Sequence, residues 1–160
     1  MLGNVFVDTN IFLYAKFNDD GKKFLVANDL FRFYLHGKQP FISTQVVNEF
    51  CVNAVKMGGD PFEIRSTAAN FANRFHIMAV SMNTVLESFR IYERYQFSHW
   101  DCLIAASAIA SDCEILFTED LSDGQILDGI LRVINPFKHY GDIIIPQGNN
   151  YDAKNYFGTA

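Results

Sequence analysis

Four carboxylates, Asp8, Glu49, Asp101 and Asp120, stand where an open α/β fold would bring them together. Asp8 follows the apolar run Val5-Phe6-Val7 and precedes Thr9-Asn10, as a strand end before a helix start. Asp120 follows Ile115-Leu116-Phe117-Thr118-Glu119 in the same way. Glu49 falls in the helical stretch after a short strand, and Asp101 opens the apolar segment Cys102 to Ala110. In such folds the ligand crevice lies at the carboxyl ends of parallel strands, the edge all four positions share. Unpaired carboxylates gathered there repel, and each must protonate or share a cation. Hard divalent ions, Mg²⁺ or Mn²⁺, suit carboxylate and water oxygens, and the absence of histidine at ligand spacing disfavours zinc.

Each acid also has a simpler reading. Asp8 with Thr9 and Asn10 can cap a helix, and Asp101 beside Ser98 is a good first-turn acid. Glu49 reads equally as an exposed helix residue and Asp120 as turn chemistry. Coincidence of position is what favours the joint site.

The elements that must position the acids follow from periodicity and stop signals. Helices are expected over about Lys22 to Leu35, closed by His36-Gly37-Lys38, and from Thr44 as cap to about Lys56. Phe24, Ala27, Phe31, Tyr34 and Leu35 form the apolar side of the first of these. Val46, Val47, Phe50, Cys51, Ala54 and Val55 form that of the second. Asp60-Pro61 starts another, with Ile64, Ala68, Phe71, Ala72 and Phe75 as its buried stripe. Ile77 to Val80 reads as a third strand, and a helix runs from about Asn83 to Tyr95. The small, apolar Cys102 to Ala110 requires burial on most sides. Pro40 to Ser43, Ile115 to Thr118 and Leu131 to Ile134 complete about five strands. The alternation predicts an α/β class, an α/β/α sandwich around a mostly parallel sheet. One domain is expected over 1–137, with 138–160 a partly ordered extension in which Ile143 to Ile145 could pack.

Half of the 160 residues are hydrophobic, with 16 Phe and 7 Tyr, which excludes a disordered chain. No apolar run reaches bilayer-spanning length and no signal core opens the chain, so a cytoplasmic protein without membrane association is expected. Cys51, Cys102 and Cys113 lack metal spacing and read as reduced thiols in or near the core. The net charge of −5 carries no basic excess. Bound divalent ions would reverse that sign locally, so nucleic-acid binding is not excluded.

The ordered set Val5-Phe6-Val7-Asp8-Thr9-Asn10, Glu49, Asp101 to Ala108 and Leu116 to Asp120 resembles the PIN domain, particularly VapC-type toxins of bacterial toxin–antitoxin pairs. The likeness runs from about Asn4 to Phe137. It implies a metal-dependent endoribonuclease with Asp8, Glu49, Asp101 and Asp120 as its catalytic, metal-binding acids and Mg²⁺ or Mn²⁺ as cofactor. It also implies that Thr9 or Thr118 orients a carboxylate or water, and that the products carry 5′-phosphate and 3′-hydroxyl ends. Glu119 and Asp123 lie close enough to Asp120 to substitute or assist. The implied partners are an RNA substrate, a small antitoxin offering an Arg or Lys to the acids, and a second copy of the chain in a homodimer. Lys22, Lys23, Arg94, His99 and Arg132 are candidates for phosphate contact and Trp100 for base stacking. The simpler readings are solvated charge and, for Trp100, an aromatic anchor beside the buried helix.

Two other enzyme or signalling classes also use a strand-end Asp. An aspartyl-nucleophile phosphatase needs a second acid at position 10, where this chain has Asn10. A receiver domain needs paired acids after its first strand, and they are absent. A catalytically silent PIN-like binding module remains the alternative.

Overall fold

The computed structural model describes residues 3–139, apart from the side chains of Phe33 and Tyr34. Strand β1 (Asn4–Val7) leads into helix α1 (Thr9–Lys16), and α2 (Gly21–Asp29) continues into a π-helical turn, Leu30–Tyr34. Strand β2 (Phe41–Ser43) precedes α3 (Thr44–Lys56) and α4 (Pro61–Asn70), then β3 (His76–Met78), α5 (Met82–Tyr95) and α6 (His99–Ala110). Strands β4 (Cys113–Phe117), β5 (Ile126–Leu127) and β6 (Leu131–Ile134) follow, and a 3₁₀ turn at Pro136–Lys138 closes the described chain.

The six strands form one sheet in the order β3-β2-β1-β4-β6-β5, parallel except for β5. The expected α/β class with a mostly parallel sheet is therefore present, enlarged by the short antiparallel β5. Two residues are too few for a period of two to show in sequence. β1 lies between β2 and β4, with Val7 level with Phe117, and the Asp8 amide donates to the Phe117 carbonyl over 3.0 Å. That register brings the carboxyl ends of β1 and β4 side by side. α6 packs against α5 and touches both β2 and β4. Its buried Ala105, Ala106, Ser107 and Ala108 permit that close approach.

A phenylalanine cluster anchors the other helices. The Phe12 ring of α1 lies 5.0 Å from Phe31, 5.0 Å from Phe71 and 5.2 Å from Phe75. Aromatic packing of this density fixes α1, and with it the Asp8 end of β1, against the segments that follow.

Several local expectations shift. The helix expected over Lys22 to Leu35 changes to π geometry at Leu30, and the Leu35 amide bonds to the Leu30 carbonyl. Gly37 leaves this segment at φ +71°, the left-handed conformation glycine tolerates. The cap of α3 is Ser43 rather than Thr44: Ser43 is extended and accepts from the Val46 amide, while the Thr44 hydroxyl accepts from the Val80 amide. α4 stops at Asn70 in a 3₁₀ turn, so Ala72 falls off the buried stripe and is exposed. Val55, at the end of α3, is also exposed. Cys102 and Cys113 are buried, Cys51 is half-buried and all three are free thiols. Ile143 to Ile145 and most of the expected extension lie outside the described residues. Among the described residues no helix is long and apolar enough to cross a membrane.

Candidate active site

Asp8, Glu49, Asp101 and Asp120 line one cleft of about 520 Å³, open at the carboxyl edge of the sheet. Among the described residues no lysine or arginine lines it. Asp8 arrives at the end of β1, Glu49 from the second turn of α3, Asp101 from the first turn of α6 and Asp120 from the loop after β4.

Each carboxylate is held by neighbours. Asp8, only 4% exposed, caps α1 through Oδ1, which accepts from the Thr9 amide at 2.6 Å. Its Oδ2 accepts from the Thr118 hydroxyl at 2.7 Å. The capping and site roles of Asp8 thus coexist in one side chain, and Thr9 is free for another task. The Thr9 hydroxyl donates to Glu49 Oε2 at 2.8 Å, and Gln45 Nε2 donates to Glu49 Oε1 at 2.7 Å. Ser98 donates to Asp101 Oδ2 at 2.7 Å while the Asp101 amide donates back to the Ser98 hydroxyl. Asn10 Nδ2 donates to Asp120 Oδ2 at 2.9 Å, and the Asp120 amide donates to Thr118 Oγ1. The Oδ1 atoms of Asp101 and Asp120 have no hydrogen-bond partner among the described residues.

The electrostatics match a crowded set of acids. Burial pushes the Asp8 carboxyl up to about 7; hydrogen bonds from Thr118 and Thr9 oppose the rise, and the nearby Asp120 and Glu49 add to it. Asp120 is also held above the ordinary carboxylate range, first by desolvation and further by Asp101 and Glu119, against the Asn10 hydrogen bond. Near neutral pH, the cleft therefore retains a proton or gathers a cation.

Hard oxygen donors and the lack of a cationic side chain fit Mg²⁺ or Mn²⁺. Among the described residues no group of three His, Cys, Asp or Glu side chains is arranged to hold an ion by itself. The fit is to an ion bound by one or two carboxylates with water completing its shell, the habit of Mg²⁺. Asn10 Oδ1 and Gln45 Oε1, in two residues of the cleft wall, are buried without a partner among the described residues.

The structure separates the adjacent acids. Glu119 turns away from the cleft to Lys23 Nζ at 2.6 Å and the Tyr14 hydroxyl at 2.5 Å. Asp123 accepts from the Asn135 amide at 2.9 Å and pairs with His139 Nε2 at 2.7 Å. Neither lines the cleft, so neither is placed to substitute for Asp120. Among the basic candidates, Lys23 is engaged with Glu119 and Arg94 with Asp128; Lys22, His99 and Arg132 do not line the cleft either. Trp100 does line it and is exposed rather than a buried anchor. Sequence reasoning overlooked the bracing by Gln45, whose one available signal is its position one helical turn before Glu49. The sequence offers Asn10 as a helix cap and as the residue that excludes a phosphatase, whereas its side chain holds Asp120.

A mostly parallel sheet with acids gathered at the ends of β1 and β4 defines an α/β domain with an acidic cleft. The chain belongs to the PIN domain family, whose model matches residues 5–122. In fold it is similar to VapC20 of Mycobacterium tuberculosis, a sarcin–ricin loop cleaving toxin. The two are 17% identical with a TM-score of 0.60, over 73% of this chain and 92% of that one. A toxin–antitoxin complex from Klebsiella pneumoniae includes a similar chain, 22% identical with a TM-score of 0.60, over 83% and 98%. DNA-bound VapBC from Salmonella typhimurium includes another, 18% identical with a TM-score of 0.59, over 83% and 97%. No curated protein sequence matches the chain.

Proposed function

We propose that the chain is a Mg²⁺- or Mn²⁺-dependent endoribonuclease that hydrolyses RNA phosphodiesters, acting as the toxin of a type II toxin–antitoxin pair in the cytoplasm. The observation that carries this reading is the convergence of Asp8, Glu49, Asp101 and Asp120 on one cleft whose lining, among the described residues, contains no cationic side chain. A divalent ion bound there supplies a lowered water pKa and charge neutralisation at the phosphate. Asp101 and Asp120 would hold it through their open Oδ1 atoms, with Asp8 joining as its proton leaves. Thr118 keeps Asp8 in place through that change, because its hydroxyl donates to a carboxylate oxygen. Glu49, braced by Thr9 and Gln45, would orient water on the α3 wall of the cleft.

A small antitoxin presenting an Arg or Lys would satisfy the same acids, in keeping with the toxin–antitoxin complexes of similar fold. Homodimerisation would use apolar helix faces such as Met82, Leu86 and Phe89, exposed at helical spacing on α5. The test is incubation of the purified chain with tRNA, rRNA and mRNA in Mg²⁺ or Mn²⁺ and in EDTA. Metal-dependent cleavage is expected. RNA that stays intact in every metal condition would leave the silent binding module as the better reading.

A further inference from the structure

Trp100 is the chain's only tryptophan and is 61% exposed, although it lines the cleft beside Asp101. An exposed indole forgoes the large burial that aromatic side chains ordinarily contribute. Its position is nevertheless fixed on two sides. The His99 ring meets it edge-on, with centroids 5.0 Å apart and planes at 71°. Gln45 Nε2 donates to the Trp100 backbone carbonyl at 3.2 Å and also to Glu49 Oε1. Both of those partners are acceptors, so the orientation of the Gln45 amide is determined and Oε1 must face the other way. Gln45 is 8% exposed and its Oε1 is buried, so the residue acts as a brace between Trp100 and Glu49.

Among the described residues no lysine or arginine lines the cleft, so those residues offer little of the usual electrostatic attraction to nucleic-acid backbones there. Uncharged contacts must supply the affinity that a bound ion does not. Base–aromatic stacking is the strongest such contact, and only an unpaired nucleotide has a free face to offer. Resting on the nuclease reading, we infer that Trp100 forms a nucleoside subsite: the indole, which shares the cleft with all four acids, stacks an unpaired base of the strand held beside them. The His99 ring and the Gln45 bond to the Trp100 carbonyl hold it in position.

The single tryptophan is its own reporter. The full-length chain is titrated in Mn²⁺ with a cleavage-resistant phosphorothioate oligoribonucleotide, either single-stranded or annealed into a duplex. Trp100 fluorescence should change with the single strand and not with the duplex. By anisotropy of the labelled oligonucleotide, Trp100→Ala should bind about 5- to 100-fold more weakly, and Trp100→Phe should restore most of the loss. Absence of binding, unchanged fluorescence while anisotropy reports binding, or equal affinity in Trp100→Ala overturns the subsite. Fluorescence that depends on protein concentration alone assigns Trp100 to a contact between copies and also overturns it. Stacking without cleavage of any RNA would retain the subsite and remove the nuclease. Cleavage with equal kcat/KM in wild type and Trp100→Ala would do the reverse.

Discussion

The Thr118 hydroxyl donates to Asp8 Oδ2 over 2.7 Å, joining the ends of β1 and β4 across 110 residues of sequence. The same hydroxyl accepts from the Asp120 amide, so one side chain fixes two of the four acids. Both strand-end acids are therefore placed by a hydrogen bond rather than by the sheet alone.

The raised Asp8 pKa makes stability depend on pH in a stated direction. The folded value of about 7 exceeds the ordinary 3.8, so the native state binds the extra proton in that window. Stability from this group is fully present below about pH 4 and is lost as pH rises through 7, with an upper bound of about 4 kcal/mol. Urea unfolding in EDTA from pH 4 to 8 should show the decline in wild type and a flatter profile in Asp8→Asn. Parallel profiles would contradict it.

Thr118→Val keeps the shape of the side chain but removes the bond that opposes the rise at Asp8. Its stability decline should extend to higher pH than that of wild type. The lost hydrogen bonds should cost roughly 1–3 kcal/mol overall. The same urea series reads both effects.

Divalent ions should stabilise the fold most where Asp8 is ionised. Saturating Mg²⁺ or Mn²⁺ at 100 times its dissociation constant adds about 2.7 kcal/mol. Thermal melts should show a larger rise at pH 8 than at pH 5, and Asp101→Asn or Asp120→Asn should reduce it. An equal rise in those variants would remove the acids from ion binding.

Glu119 and Asp120 are adjacent in sequence but differ in direction, so their variants should separate. Asp120→Asn should lower RNA cleavage by at least about 100-fold, whereas Glu119→Gln, at the Lys23 pair outside the cleft, should stay within about 3-fold of wild type. Comparable losses in both would show that the turn, rather than Asp120, controls the rate.

The sheet edge was legible because Val5-Phe6-Val7 and Ile115-Leu116-Phe117 are apolar runs ending close to acids, and a parallel layout aligns their ends. α6 was legible because its small apolar residues demand burial on most sides. What sequence could not separate was direction: Glu119 and Asp120 both follow β4, and only tertiary contacts with Tyr14 and Lys23 draw Glu119 away. Asn10 escaped notice as a brace because its partner Asp120 is distant in sequence, and Gln45 because an exposed-looking polar residue one turn before Glu49 gives no sign of its second bond, to distant Trp100. The π turn at Leu30–Tyr34 leaves no mark in a helical hydrophobic pattern.

The most direct test of the four-acid site is single-turnover cleavage of a susceptible RNA by wild type, Asp8→Asn and Asp101→Asn, each confirmed as folded, in Mn²⁺ and in EDTA. Metal-dependent cleavage by wild type, with loss of at least about 100-fold in both variants, is the predicted result. Equal cleavage by wild type and both variants, or cleavage undiminished by EDTA, would contradict it.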